Sequence, residues 1–132
     1  MTAKPQPILT GTAPAPAGAY SQAVRSGDTL YISGQLPIRP DKSPLPDMGF
    51  AAQAEQAIAN MLAILESAGG APDDLCRVTA YIVGVENWPE FNGVYAGMLG
   101  EARPARTVVP VPELHYGYLV EVDAVAVLRS QG

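Results

Sequence analysis

The sequence predicts one α+β domain, a mixed β-sheet with two helices packed on one face. Two apolar stripes carry the helices: Ala54, Ile58, Met61, Leu62 and Leu65, then Phe91, Val94, Tyr95, Met98 and Leu99, both at helical spacing. The stretches around them are rich in β-branched and aromatic residues, which favour strands. Strands come first and two strand–helix alternations follow, an order that gives an α+β sheet. The 132 residues amount to one domain.

Taken in order, residues 1–17 carry Pro5, Pro7, Pro14 and Pro16 among small residues, so they read as a flexible extended arm, with the folded domain spanning 18–132. Ala23 to Arg25 and Thr29 to Ser33 form a hairpin around Ser26-Gly27-Asp28. A polar, proline-rich loop runs from Arg39 to Gly49. In the first helix Gln53, Gln56, Asn60 and Glu66 populate the faces away from the stripe, and Gly69-Gly70 stops it. Cys76 to Val85 is a strand. Asn87 caps the second helix, Pro89 suits its first turn, Glu90 completes a capping box, and Gly100 ends it. Strands at about Thr107 to Val111 and Tyr118 to Leu128 close the chain. Pro110 and Pro112 lie two apart and remove N–H donors from one side of their strand, which places it at a sheet edge or leaves it frayed at its end.

Composition narrows the function. Apolar residues make up 48%, a globular value, and charged residues only 16%, below the roughly 25% of an average soluble domain. A low charge count fits a surface partly hidden against copies of itself. The net charge is −5, and two lysines and six arginines are scattered without a cluster, which argues against nucleic acid as partner. Cys76 is the only cysteine and reads as a buried apolar thiol. With a single histidine beside it, no ordinary zinc site can be assembled. No apolar run approaches the length of a membrane span, and the N-terminus lacks a signal-peptide core, so a cytoplasmic protein is expected.

Four segments draw attention: Gly18-Ala19-Tyr20-Ser21-Gln22, Ser33-Gly34-Gln35-Leu36-Pro37, Arg103-Pro104-Ala105-Arg106-Thr107 and Val120-Glu121-Val122-Asp123-Ala124. Each alone has a plain structural reading. Arg106 opens a strand on a solvated face, Glu121 alternates with valines on a half-buried strand, and Ser33-Gly34 ends a strand. In this order and spacing, together with Ala68-Gly69-Gly70 and Asn92-Gly93-Val94-Tyr95, they resemble the Rid family, also called the YjgF group, over roughly residues 18 to 128.

The resemblance implies a compact subunit similar to chorismate mutase of the AroH type, assembled as a homotrimer with clefts between neighbours. It implies no metal and no organic cofactor. The activity implied is hydrolysis of reactive enamines and imines, such as 2-aminoacrylate, 2-iminopropanoate or 2-iminobutanoate, to 2-keto acids and ammonia. Arg106 is then the clamp for the substrate carboxylate, because a guanidinium grips that planar group through two parallel hydrogen bonds. Glu121 orients water or relays the proton. Ser33 and Gly34 line the pocket, Tyr20 and Asn92 border it, and Thr107 and Val108 complete the substrate-binding set beside the clamp.

Three departures from the family pattern bear on substrate preference. Ala19 stands where many relatives have proline, and Val108 replaces a common cysteine. Leu114-His115-Tyr116-Gly117 replaces a Leu-Pro-x-Gly loop. His115 can add a titrating group, though the plainer reading is an exposed loop residue without a role. The alternatives from other classes are a non-catalytic ligand-binding trimer using the same cleft, and a ribonuclease or translation inhibitor, which the acidic charge disfavours. A pathway-specific deaminase of the same fold is a third.

Overall fold

The structure, a computed structural model, describes residues 4–43 and 48–129; part of the expected loop from Arg39 to Gly49, the first three residues of the arm and the last three of the domain lie outside them. Six strands and two helices follow one another as β1 (Gln6–Ile8), β2 (Ala23–Ser26), β3 (Thr29–Gln35), α1 (Phe50–Ser67), β4 (Leu75–Val83), α2 (Trp88–Leu99), β5 (Ala105–Val111) and β6 (Val120–Val127). They form one mixed sheet in the order β1-β2-β3-β6-β4-β5, antiparallel throughout except for β4 and β5, which α2 connects in parallel.

Alternation along β6 decides which face is covered. Val120, Val122, Ala124 and Ala126 are buried, and so are Val78, Ala80 and Ile82 on β4; the apolar stripes of α1 and α2 lie in the same core through Ile58, Met61, Leu65 and Phe91. Glu121, Asp123, Val125 and Val127 point to the other face, which no helix covers. The end of α1 follows its glycines: Gly69 takes φ +89 and its N–H, like that of Gly70, returns to the last turn. β5 lies at the edge, where Pro110 costs no interior ladder bond, and Pro112 follows just beyond its end.

Three details differ from the sequence expectations. Gln6–Ile8 pairs antiparallel with β2 and Ala13 is buried, so the N-terminal segment belongs to the sheet and does not stand apart as an arm. Pro5 and Pro7 are tolerated because β1 is an edge strand. Asn87 makes no side-chain cap: a 3₁₀ turn over Val85–Asn87 runs straight into α2, and its amide donates back to the Val83 carbonyl at 2.9 Å. Cys76 is exposed. Leu75 pairs with Ala126 and Arg77 with Val125, so Cys76 is the extra residue of a bulge and is turned out of the core.

Candidate active site

A second bulge builds the site. Ile32 pairs with Ala124 and Gln35 with Val122, which leaves Ser33 and Gly34 opposite Asp123 alone. The carboxylate of Glu121 lies against the backbone this bulge exposes. A Cβ on Gly34 would sit 2.7 Å from Glu121 Oε2, so position 34 is glycine because the acid occupies the space of a side chain. Ser33 is fixed by its N–H to the Gln22 carbonyl (2.9 Å) and by its hydroxyl, which donates to the Ser21 carbonyl (2.6 Å).

Above this floor opens a cavity of about 760 Å³. Its walls are the N-terminal segment with Tyr20, the stretch containing Leu36, Ile38 and Lys42, and a turn carrying His115, Tyr116 and Tyr118. Buried or half-buried carboxamides fasten each wall. Gln22, 1% exposed, donates to the carbonyls of Thr10, Ala13 and Pro14 and accepts from Thr10 N–H at 2.7 Å. Asn60, 1% exposed, donates to Leu36 and Ile38, and Gln53 accepts from Leu119 N–H at 2.9 Å while donating to Met48. Asn60 and Gln53 therefore face structure, not solvent as their place off the apolar stripe implies.

Burial pushes the Glu121 carboxyl above its ordinary range, and the neighbouring charge of Asp123 pushes it the same way; His115 acts in the opposite sense. Asp123 is itself raised by burial, while a hydrogen bond from Tyr81 and the charge of Arg77 restrain it. A carboxylate made more basic in this way is a better proton acceptor near neutral pH. His115 and Tyr116 belong to the cavity: their rings stack at 3.7 Å, and Tyr116 meets Tyr118 edge-on at 6.3 Å. Tyr116 is held at φ +61, a left-handed backbone that a bulky residue seldom adopts.

Arg106 lies elsewhere in the subunit. It pairs with Val78 on β4, whereas Glu121 pairs with Tyr81, three residues further along that strand. An odd separation puts the two side chains on opposite faces, roughly 10 Å apart along the strands and roughly 10 Å across them. On the helix side the guanidinium stacks over the Tyr95 ring, 5.0 Å from its centroid, and donates to Asn92 Oδ1 at 3.0 Å. These residues and Arg103 line a niche of about 300 Å³. Tyr95 is 6% exposed and its hydroxyl has no hydrogen-bond partner among the described residues.

The structure thus gathers Tyr20, Ser33, Gly34 and Glu121 in one cavity and Asn92 and Arg106 in another. Thr107 is exposed on the open face, where it accepts from Arg77 at 3.1 Å, and Val108 is buried in the core on the helix side; neither lines the two cavities. His115 and Tyr116, singled out in the sequence for their departure from the family loop, line the first cavity, and Tyr95, outside the expected set, lines the second. No group of three or more potential metal ligands occurs among the described residues, and no helix there is long and apolar enough to cross a membrane.

Comparison with known proteins gives one answer. The sequence pattern of the endoribonuclease L-PSP family matches residues 10–128. A RutC family protein of Pyrococcus horikoshii is 40% identical over 119 residues, which is 90% of this chain and 94% of that protein. Protein HMF1 of Saccharomyces cerevisiae is 34% identical over 124 residues, 94% and 95% of the two chains. Among solved structures, RidA from an Antarctic Psychrobacter superimposes with a TM-score of 0.88 at 41% identity, covering 93% of this chain and 99% of that one. TdcF of E. coli, solved with bound serine, gives 0.89 at 31% identity, covering 95% and 99%.

Proposed function

This chain belongs to the endoribonuclease L-PSP family, that of the YjgF, RidA and RutC proteins, and from that premise we propose that it is an enamine and imine deaminase working as a homotrimer. Its substrates are 2-imino acids and their enamine tautomers, and its products are 2-keto acids and ammonia, formed in the cytoplasm without metal or organic cofactor. The observation that carries the reading is the division of the site. A half-exposed arginine is held ready at one sheet edge, and a desolvated carboxylate sits in a cavity on the other face, too far away to share one small substrate. Two copies of the chain bring the halves together when the edge of one subunit closes over the cavity of the next.

In that arrangement the neighbour's Arg106 grips the substrate carboxylate, with Asn92 and Tyr95 fixing the guanidinium. Glu121 orients a water against the C=N carbon and takes its proton as the C–O bond forms. Nitrogen takes that proton as the tetrahedral carbinolamine forms; Glu121 then removes the hydroxyl proton and passes it to the same nitrogen, so ammonia leaves as the carbonyl forms. The imine is already reactive, so positioning supplies much of the acceleration. The serine bound to TdcF carries a carboxylate and an α-nitrogen, the same two groups this scheme grips. The family's endoribonuclease label suits the chain less well, since its net charge is −5.

The test uses two inactive variants. Wild-type protein shortens the lifetime of 2-aminoacrylate made in situ by a pyridoxal-phosphate enzyme, whereas Arg106→Ala and Glu121→Gln each lose most of that activity. Unfolded together in equal amounts and reassembled, they recover about a quarter of the wild-type rate, because that share of interfaces in a closed ring pairs two intact halves. A mixture as inactive as its components places the site within one subunit. A wild-type protein that leaves imine lifetimes unchanged hands the cavity to a non-catalytic ligand-binding trimer.

A further inference from the structure

We propose that the turn carrying His115, Tyr116 and Tyr118 receives an aryl or other large apolar side chain of the substrate, so that preferred imines derive from bulky amino acids. The inference rests on the imine reading of the cavity and names its substrate class. Size is the first ground. The cavity of the single subunit, about 760 Å³, lies in the range of roughly 300–1,000 Å³ typical of sites for drug-sized ligands. The division of chemistry within the cavity is the second. Glu121, Ser33 and the Gly34 backbone form the floor, where the reacting carbon sits. The rings of His115, Tyr116 and Tyr118, with Leu36 and Ile38, supply most of the apolar lining, and Lys42 and Ser43 add polar groups beside Ile38.

The rings also have a geometry that suits a flat guest. His115 and Tyr116 are stacked at 3.7 Å with their planes tilted by 38°, and Tyr118 stands edge-on to Tyr116. Tyr116 remains 65% exposed, so its stack is extended by nothing within the subunit. A ligand ring placed there continues the offset and edge-to-face contacts that aromatic groups prefer. The backbone supports the same conclusion. Tyr116 stands at φ +61 directly before Gly117 at φ +75, so the turn presents a large ring from a conformation in which glycine or asparagine is at ease. Strain of this kind persists where the surrounding structure holds it, and it clusters at ligand clamps.

The experiment compares 2-imino-3-phenylpropanoate with 2-iminopropanoate, each generated in situ by an amino-acid oxidase, for wild type, Tyr116→Asn and Tyr116→Phe. Asparagine accepts the left-handed backbone and removes the ring. Wild type favours the phenyl substrate in kcat/KM, Tyr116→Asn lowers that preference on the order of tenfold, and Tyr116→Phe keeps it. Binding of phenylpyruvate and pyruvate, measured by calorimetry on the same proteins, is read in parallel. If neither imine is hydrolysed yet phenylpyruvate binds more tightly than pyruvate and Tyr116→Asn abolishes the difference, the deaminase reading falls and this inference stands. Hydrolysis of both imines with equal efficiency, or a preference unchanged in Tyr116→Asn, overturns the inference and leaves the deaminase intact. A fall in oligomer mass for Tyr116→Asn in light scattering also overturns it, since the ring then serves as a subunit contact.

Discussion

The cavity above Glu121 and the niche around Arg106 share one sheet and are organised on opposite plans. The cavity has a strand floor interrupted by a bulge and three walls of irregular chain, tied down by Gln22, Asn60 and Gln53. The niche has no such walls. One helix holds its arginine through a ring face and an amide oxygen, and leaves the charge half exposed at an edge strand. The difference follows from what each group must do. In the proposed reaction the carboxyl changes protonation during turnover and gains basicity from desolvation, which its enclosure supplies. A guanidinium never gives up its proton, so it needs only a fixed direction and an open approach.

The largest test of this division compares two cations. Arg106→Ala lowers kcat/KM by tenfold to several hundredfold, since each charge-assisted hydrogen bond contributes about 1.5–3 kcal/mol. Arg106→Lys regains little of it, because an ammonium lacks the planar fork. Lys42, which lines the cavity of Glu121 itself, changes the rate by less than about threefold when replaced by alanine. The reverse ranking in steady-state kinetics erases the division and puts the carboxylate grip inside one subunit. Gly34→Ala comes next. The added methyl displaces the far end of Glu121 and not the backbone, so the fold survives by thermal melting. A carboxylate moved by an ångström costs roughly a hundredfold in turnover, and full activity in this variant separates the acid from the chemistry.

The smallest effect is a shift in a pH profile. Activity that needs the Glu121 carboxylate falls as pH drops through its raised pKa. The charge of Asp123 contributes to that rise, so Asp123→Asn moves the acidic limb to lower pH, and His115→Gln moves it to higher pH. The same carboxyl bears on stability. With its folded pKa above the unfolded value, the native state binds the proton more readily, and the charged form weakens the fold at neutral pH and above. Glu121→Gln therefore melts at higher temperature than wild type near pH 8, and the gap closes as the pH is lowered.

Both helices and the strands from β2 onward are legible in the sequence, because period and composition agree there. Pro110 and Pro112 even locate an edge. What is not legible depends on partners distant in the chain. The bulges at Cys76 and at Ser33-Gly34 exist only relative to β6, more than forty residues away. Gln22, Gln53 and Asn60 look like surface amides until the carbonyls and N–H groups they meet, as far as 66 residues off, are folded over them. The motifs name Arg106 and Glu121 as a pair. That they stand on opposite faces follows only from the registers in which β5 and β6 pair with β4.

Gln22 carries a lesson about signatures. In Tyr20-Ser21-Gln22, three adjacent letters answer to three separate demands. The first is an exposed ring at the cavity, the second a carbonyl that accepts the Ser33 hydroxyl, and the third a hidden pin through which the first dozen residues are laced to the sheet. A descendant that had lost its chemistry but kept this lacing would still spell the triplet. One that kept the chemistry on a shorter N-terminus would have no reason to. Found in a new genome, those three letters report first on how a chain is tied together, and Arg106 and Glu121 remain the letters on which the proposed catalysis rests.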